Sequence, residues 1–346
     1  MAVDNQAING APEEVFLAVE GFKGRKHLTI YPADNPKASP SVIFIPGMRS
    51  HAGTYSTLDP ASNFLASLAA EGLNVVAVDL PGHGRSEGPR GLFTYKSIIE
   101  TLRAAARYTA ERFGTPVGVS GSSMGGILSL YAALEIPELQ AVAAMDVLDL
   151  RNIDPALHLL RHRVIVPPTR LMARMGLGPL LTWAPVPVTA FLSTKEVWED
   201  KAHARAWLSD PYSTNAYRTS SWISLFMTPG DKPALEDVRQ PTRILVGEKD
   251  KILPVEMTRA VYDRLTCEKD LIVLPGAGHM LPVEYREQVA PLVAGWLKQH
   301  LAAQLAPAAQ AESAVADAQQ APASDGSTAS PAAPKKRAPS RQAKKS

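Results

Sequence analysis

Short runs rich in Val, Ile and Leu alternate along the chain with longer segments of helical periodicity, and this alternation constrains the fold more than any other feature. It is typical of βαβ units, in which helices cover a parallel sheet. The pattern predicts strands at residues 14–20, 26–32, 41–46, 74–79, 116–121, 139–145, 242–247 and 270–274. It predicts helices at residues 62–72, 97–113, 124–135, 255–266 and 285–304. We therefore expect an α/β fold with a mainly parallel eight-stranded sheet flanked by helices.

The alternation breaks once, between about residues 148 and 236, where no strand is evident and Leu, Met, Trp and Pro are frequent. We expect this segment to form a mostly helical cap, inserted after the sixth strand. Within the cap, residues 175–194 carry no charge over about the length that spans a bilayer. Their prolines and glycines argue against a spanning helix. The stretch is expected to pack over a pocket or to make weak contact with a membrane surface.

Two flanking segments differ in composition from the domain predicted at residues 14–304. Residues 1–13, which we expect to be a flexible N-terminus, contain acidic side chains and no apolar core, so they are not expected to be a secretory signal. Residues 305–346 are rich in Ala, Pro, Gln and Ser and have too few large apolar side chains to offset the entropy of ordering. This tail is predicted to be disordered. It ends in the basic cluster PKKRAPSRQAKKS, whose partner the sequence does not identify.

The charge distribution and the single cysteine indicate which classes of partner the chain can bind and in which compartment we expect it. The formal net charge is +2, and six basic against three acidic residues from 303 onward place +3 on the tail and −1 on residues 1–302. A body without excess positive charge lacks the electrostatic field that nucleic-acid binding requires. The single Cys267 cannot form an internal disulfide. We expect a cytoplasmic protein with no specific nucleic-acid partner.

A G-x-S-x-G pattern lies between a predicted strand and a predicted helix, in the sequence VGVSGSSMGG. It consists of Gly121, Ser123 and Gly125 with two intervening residues. At a sharp strand-to-helix turn this pattern lifts the serine hydroxyl above the sheet, while the glycines avoid side-chain clashes. Ser123 is therefore the candidate nucleophile, and Ser122 is expected to point away from the site.

A serine hydroxyl needs a base to take its proton and an acid to orient that base. His279 and Asp250 each follow a predicted strand, at the edge of a parallel sheet where ligands bind. The chain order Ser, Asp, His is the one associated with α/β-hydrolases. The competing candidates for the acid are Glu248, Asp146 and Asp149.

Acyl transfer also needs donors aimed at the oxyanion, usually two backbone N–H groups. The sequence predicts one at Met124, in the serine motif, and one at Met48, after the tight turn that Gly47 permits. His51 and His83 lie in loops that follow strands, and a hydrogen-bonded structural role is expected for both. Such a site requires neither a metal ion nor an organic cofactor.

Four segments together resemble the monoglyceride lipase and lysophospholipase-like group of α/β-hydrolases, which is catalogued with serine aminopeptidases. They are PGMRSHAGTY, VVAVDLPGHGRSEGPRG, GSSMGG, and the pair GEKDKILP and GAGH. The resemblance covers about residues 14–302. The chain departs from the group at Pro46, where these lipases usually carry a histidine, and its cap matches the group only at Asp210 and Pro211.

The resemblance implies hydrolysis of lipid-like carboxylic esters, of the monoacylglycerol or lysophospholipid type, with the cap shaping the acyl tunnel. Carbon–carbon bond hydrolases and acyltransferases of the same fold share the serine motif and are the alternatives. A non-catalytic ligand-binding protein is a further alternative, because some receptors of this fold keep an intact triad.

Overall fold

A computed structural model describes residues 12–59, 62–152, 183–190 and 192–320, with the backbone alone at 303, 304 and 306–320. Its strands are β1 (Glu13–Leu17), β2 (Lys26–Tyr31), β3 (Ser41–Ile45), β4 (Asn74–Val78), β5 (Val117–Ser122), β6 (Leu139–Met145), β7 (Pro185–Pro187), β8 (Ala216–Arg218), β9 (Thr242–Gly247) and β10 (Lys269–Leu274). Its α-helices are α1 (Phe64–Ala70), α2 (Tyr95–Phe113), α3 (Met124–Glu135), α4 (Thr194–Val197), α5 (Lys201–Ser209), α6 (Thr219–Phe226), α7 (Val255–Arg264), α8 (Leu281–Glu284) and α9 (Arg286–Gln320). Short 3-10 helices lie at Ala52–Tyr55, Val188–Ala190, Pro229–Asp231 and Leu235–Asp237.

Eight of these strands form one sheet, in the order β1-β2-β4-β3-β5-β6-β9-β10. Strand β2 runs antiparallel to both of its neighbours, and every other neighbouring pair is parallel. The prediction of a mainly parallel eight-stranded sheet flanked by helices is confirmed, and the chain has the α/β-hydrolase fold.

Helices cover both faces of the sheet because the central strands are apolar on both faces. In β3, Ile43 and Ile45 belong to the core under α2, α3 and α7, whereas Val42 and Phe44 belong to the core under α1 and α9. All five residues of this strand are buried. Such continuous apolar runs are expected of parallel strands with helices on either side.

The cap differs from its prediction in one respect, because strands β7 and β8 form a two-stranded antiparallel sheet within it. Each strand has only three residues, and Pro185 and Pro187 occupy β7, where proline is tolerated because the strand lies at an edge. Such short strands carry no recognisable periodicity. Residues 153–182, which include the first eight residues of the uncharged stretch 175–194, lie outside the described residues.

The chain divides into two compact units, Met1–Ala306 and Pro307–Ser346. Helix α9 ends at Gln320, so its backbone continues into the segment from 305 for which the sequence predicts disorder. Ala and Gln are frequent there and have high helix propensity. Residues 1–11 and 321–346, which include most of the predicted flexible N-terminus and the basic cluster, lie outside the described residues. None of the described helices has the length and apolar character needed to cross a membrane.

Candidate active site

The register of the central strands brings the predicted site residues to one edge of the sheet. Ser122, at the end of β5, pairs with Met145 at the end of β6, and Met145 pairs in turn with Leu245 of β9. The residues that follow these strand ends therefore lie side by side. Ser123 follows β5, and the turns after β9 and β10 supply the remaining candidates.

Ser123 occupies a sharp turn between β5 and α3. Its φ of 57° and ψ of −123° are unusual for a residue with a side chain, and its N–H donates to the Met145 carbonyl at 2.9 Å. A Cβ atom at Gly125 would lie 1.8 Å from the Ile45 carbonyl oxygen, so only glycine fits there. Backbone strain at a half-buried serine beside closely packed glycines is the geometry expected of a nucleophile elbow.

His279 and Asp250 are joined by a buried hydrogen bond. The distance between His279 Nδ1 and Asp250 Oδ2 is 2.7 Å, and both side chains are almost completely buried. The other oxygen, Oδ1, accepts from the N–H groups of Ile252 at 2.7 Å and Leu253 at 2.9 Å. Because the Asp250 carboxylate can only accept a hydrogen bond, a neutral His279 ring carries its proton on Nδ1. Its Nε2 is then free to act as a base.

Two of the competing acids have other partners. Glu248 accepts from the N–H of Gly276 at 2.7 Å, in an exposed position. Asp149 accepts from the Tyr131 hydroxyl at 2.7 Å and pairs with Arg264. Neither carboxylate is therefore free to orient the base.

The third competing acid, Asp146, lies within the site. One oxygen or nitrogen atom from each of Asp146, Asp250 and His279 lies within 4.8 Å of the others, a spacing at which a metal ion could also be held. Burial, and then the neighbouring Asp250 carboxylate, raise the pKa of Asp146 well above its usual range. Two carboxyl groups therefore lie beside one histidine, and the surroundings of Asp146 disfavour its ionised form.

The predicted oxyanion donors lie next to the elbow. Among the described residues, the N–H groups of Met48 and Met124 take part in no hydrogen bond, which leaves both available to a ligand. A Cβ atom at Gly47 would lie 3.5 Å from that of Ser123, so the loop that carries Met48 borders the serine. In the described part of the chain no hydrogen bond joins the Ser123 hydroxyl to His279, and such bonds often tighten only when substrate binds.

Two tyrosines that the sequence analysis did not assign hold this loop. The Tyr55 hydroxyl accepts from the N–H of Gly47 at 2.9 Å, and the Tyr217 hydroxyl accepts from the N–H of Arg49 at 2.8 Å. Burial raises the pKa of Tyr55 to about 12, so its phenol is neutral. Tyr55 is part of the segment PGMRSHAGTY, but Tyr217 comes from the cap and has no signal in the sequence.

The two loop histidines have hydrogen-bonded structural roles, as the sequence predicts. His51 Nδ1 accepts from the N–H of Gly53 at 3.1 Å, and its Nε2–H donates to Asp210 at 2.6 Å. His83 Nδ1–H donates to the Pro81 carbonyl at 2.9 Å, and its Nε2 accepts from the Tyr217 hydroxyl at 2.6 Å. Asp210, the point at which the cap matches the lipase-like group, therefore binds the loop that follows β3.

Comparison with known proteins matches most of this domain to one family. The model of the serine aminopeptidase S33 family matches residues 36–286. A monoacylglycerol lipase of Mycolicibacterium smegmatis is 29% identical over 300 residues, which are 84% of this chain and 98% of that protein. A monoglyceride lipase homolog of monkeypox virus is 26% identical over 261 residues, or 74% of this chain and 86% of the relative.

Solved structures share the same fold. A monoacylglycerol lipase of Paleococcus ferrophilus superposes with a TM-score of 0.61 at 21% identity, over 80% of this chain and 99% of that chain. A soluble variant of the Saccharomyces cerevisiae monoglyceride lipase, in complex with a substrate analog, gives a TM-score of 0.67 at 20% identity. That match covers 85% of this chain and 96% of the yeast chain.

Proposed function

Because the chain belongs to the serine aminopeptidase S33 family and is an ester-hydrolysing enzyme, we propose that it cleaves lipid-like carboxylic esters through an acyl-enzyme on Ser123. Monoacylglycerols or lysophospholipids are the proposed substrate class. The observation that carries the proposal is the buried hydrogen bond of 2.7 Å from His279 to Asp250, at the edge of the sheet where Ser123 occupies its strained turn. The relatives named as monoacylglycerol lipases support the lipid-like substrate.

In the proposed mechanism, the Ser123 hydroxyl attacks the ester carbonyl while Nε2 of His279 takes its proton. The bond between the acyl carbon and the alkoxy oxygen of the ester then breaks, and the imidazolium gives its proton to that oxygen, so that the alcohol leaves. Asp250 stabilises the imidazolium and keeps the ring oriented. A water molecule, deprotonated at the same Nε2, attacks the acyl-enzyme and releases the fatty acid and the free serine.

In this mechanism, the N–H groups of Met48 and Met124 donate hydrogen bonds to the negatively charged oxygen of each tetrahedral intermediate. Donors fixed in place before the reaction are effective because they need no reorganisation as charge develops. Met124 is the first residue of α3, so its amide also lies at the positive end of a helix dipole. This arrangement supports acyl transfer.

The nucleophile is tested by labelling with a fluorophosphonate probe. We expect Ser123→Ala to abolish labelling while the circular dichroism spectrum stays that of the folded protein. Ser129→Ala is the matched control, because Ser129 lies on the adjacent helix α3 and its hydroxyl donates to the Gly125 carbonyl at 2.8 Å. Labelling that persists in Ser123→Ala would place the nucleophile elsewhere.

The substrate class is tested with p-nitrophenyl esters of increasing acyl length, alongside a monoacylglycerol and a lysophospholipid. The proposal predicts that kcat/KM rises from acetyl to long acyl chains, because each buried methylene contributes about 0.8 kcal/mol of binding. Activity confined to acetyl esters would exclude a lipid-like substrate while leaving the triad intact.

A further inference from the structure

Asp146 is a buried acid to which the proposed mechanism gives no role. It follows β6 with a φ of 55° and is fully buried, and its N–H donates to the Leu245 carbonyl at 2.9 Å. Neither of its carboxyl oxygens makes a well-aligned hydrogen bond within the described part of the chain. A buried polar group without partners costs free energy, so its presence calls for an explanation.

The surroundings of Asp146 are those of the active site. Asp250 lies directly beside it, and His279 completes the cluster within 4.8 Å. Other polar groups near the carboxyl are Ser122, Gly247 and the phenol of Tyr55. Among the described residues, neither Asp146 nor Asp250 forms an ion pair with a lysine or an arginine, so no fixed cation offsets a second negative charge.

Two carboxyl groups this close cannot both be ionised in a buried site, so one of them keeps a proton. Asp250 is the better site for the charge, because Ile252, Leu253 and His279 all direct N–H groups at its oxygens. Asp146 lacks well-aligned donors of this kind. The geometry therefore assigns the negative charge to Asp250 and the proton to Asp146, in agreement with the upward direction of the Asp146 pKa.

We propose that Asp146 is a positioning residue, a neutral carboxylic acid whose O–H is directed at the Asp250 carboxylate and holds it against His279. This inference rests on the triad of the proposed function. The O–H group supplies Asp250 with a donor in addition to its backbone amides and His279, and it withdraws negative charge from that carboxylate. Asp250 then remains a hydrogen-bond acceptor from Nδ1 and does not itself take the proton, which is the behaviour required of an orienting acid.

The proposal separates two substitutions that remove the same side chain. Asp146→Asn keeps a neutral donor of the same shape, so we expect its kcat to stay within a few fold of the wild-type value. Asp146→Ala removes the donor and leaves Asp250 free to shift, and misplacement of a catalytic group by about 1 Å costs on the order of 100-fold. We therefore expect kcat of Asp146→Ala to fall by about 10- to 100-fold with KM unchanged.

Active-site titration with the fluorophosphonate probe normalises kcat to folded enzyme. Equal losses in Asp146→Asn and Asp146→Ala would show that the negative charge of Asp146 is what matters, and would overturn the proposal. An unchanged normalised kcat in Asp146→Ala would reduce Asp146 to a packing role and would also overturn it. Absence of labelling in the wild-type enzyme would instead refute the proposed nucleophile, which keeps the two failures distinguishable.

Infrared difference spectroscopy provides a readout that does not depend on the stability of the alanine variant. At neutral pH, the spectrum of wild type minus Asp146→Asn is expected to show the carbonyl stretch of a protonated carboxyl group. Wild type minus Ser129→Ala is the control and should lack this band. A carboxylate band in place of the protonated one would refute the assignment of the proton to Asp146.

Discussion

Acidification is expected to destabilise this protein through His83 in a way that can be calculated from its surroundings. His83 is fully buried, and burial is the largest cause that lowers its pKa to about 4. In an unfolded chain a histidine titrates near pH 6.5. Between these two values the unfolded state therefore holds one more proton than the folded state, so the free energy of unfolding rises with pH. The stability contributed by neutral His83 is complete above about pH 6.5 and is lost as the pH falls towards 4.

The loss is about 1.4 kcal/mol for each pH unit across this window, or roughly 3 kcal/mol in all. That is a large share of the roughly 5–15 kcal/mol that stabilises a typical domain. Urea denaturation at several values between about pH 7.5 and 4.5 measures the slope of the unfolding free energy against pH. Replacement of His83 by Gln removes the titrating group. We therefore expect the slope of the unfolding free energy against pH to decrease by up to about 1.4 kcal/mol per pH unit, which corresponds to one proton.

Phe93→Leu is the matched control. The Phe93 ring packs against His83 with 5.4 Å between ring centroids, so the substitution loosens the same contact and changes no titrating group. It should lower stability at every pH and keep the wild-type slope. Glu284, whose pKa burial raises, acts in the opposite direction but is present in both variants. Equal slopes in His83→Gln and the wild type would refute the linkage to His83.

Two further substitutions test how α3 and the cap are held. Gly125→Ala places a Cβ atom 1.8 Å from the Ile45 carbonyl oxygen, so we expect the free energy of unfolding to fall by more than about 4 kcal/mol. Gly230→Ala is the control, because a Cβ atom there enters open space and should change this free energy by less than about 0.5 kcal/mol. Equal melting temperatures of these two variants would contradict the close packing of α3 on β3. Arg49→Lys cannot reproduce the bonds of the guanidinium to Asn215 at 2.6 and 3.1 Å, so we expect a loss of about 2–3 kcal/mol and a lower kcat. Wild-type melting and kcat in Arg49→Lys would show that this contact does not hold the loop.

The sheet and its helices could be predicted because each is encoded locally. Strand β3 was expected at 41–46 and extends from Ser41 to Ile45, and helix α3 has its predicted bounds of 124 and 135. An apolar run of four residues such as VIFI in β3, or a helical run that begins directly after the serine of a G-x-S-x-G turn, indicates its conformation without knowledge of the rest of the chain.

The contacts that complete the site could not be predicted in the same way. Arg49 and Tyr217 are 168 residues apart, and nothing near either residue in sequence specifies that they meet. For the orienting acid, the sequence favours Asp250, but Glu248, Asp146 and Asp149 also follow strands and compete with it. Only the three-dimensional contacts separate Asp250, which binds His279, from Asp149, which pairs with Arg264. Local pattern therefore gives the identity of the groups, and long-range packing determines what each of them does.

The same long-range contacts connect the cap to the loop that carries the proposed oxyanion donor. Arg49 follows Met48, whose N–H is the proposed oxyanion donor, and Arg49 is held by the cap at both its backbone and its side chain. Its N–H donates to Tyr217, its carbonyl accepts from the N–H of Thr214 at 2.9 Å, and its guanidinium lies 4.2 Å from the Trp207 ring. We therefore expect a substrate that displaces this part of the cap to displace the Met48 amide as well. Changes at cap positions 207–217 should consequently alter kcat as well as KM, because an oxyanion donor acts mainly in the transition state.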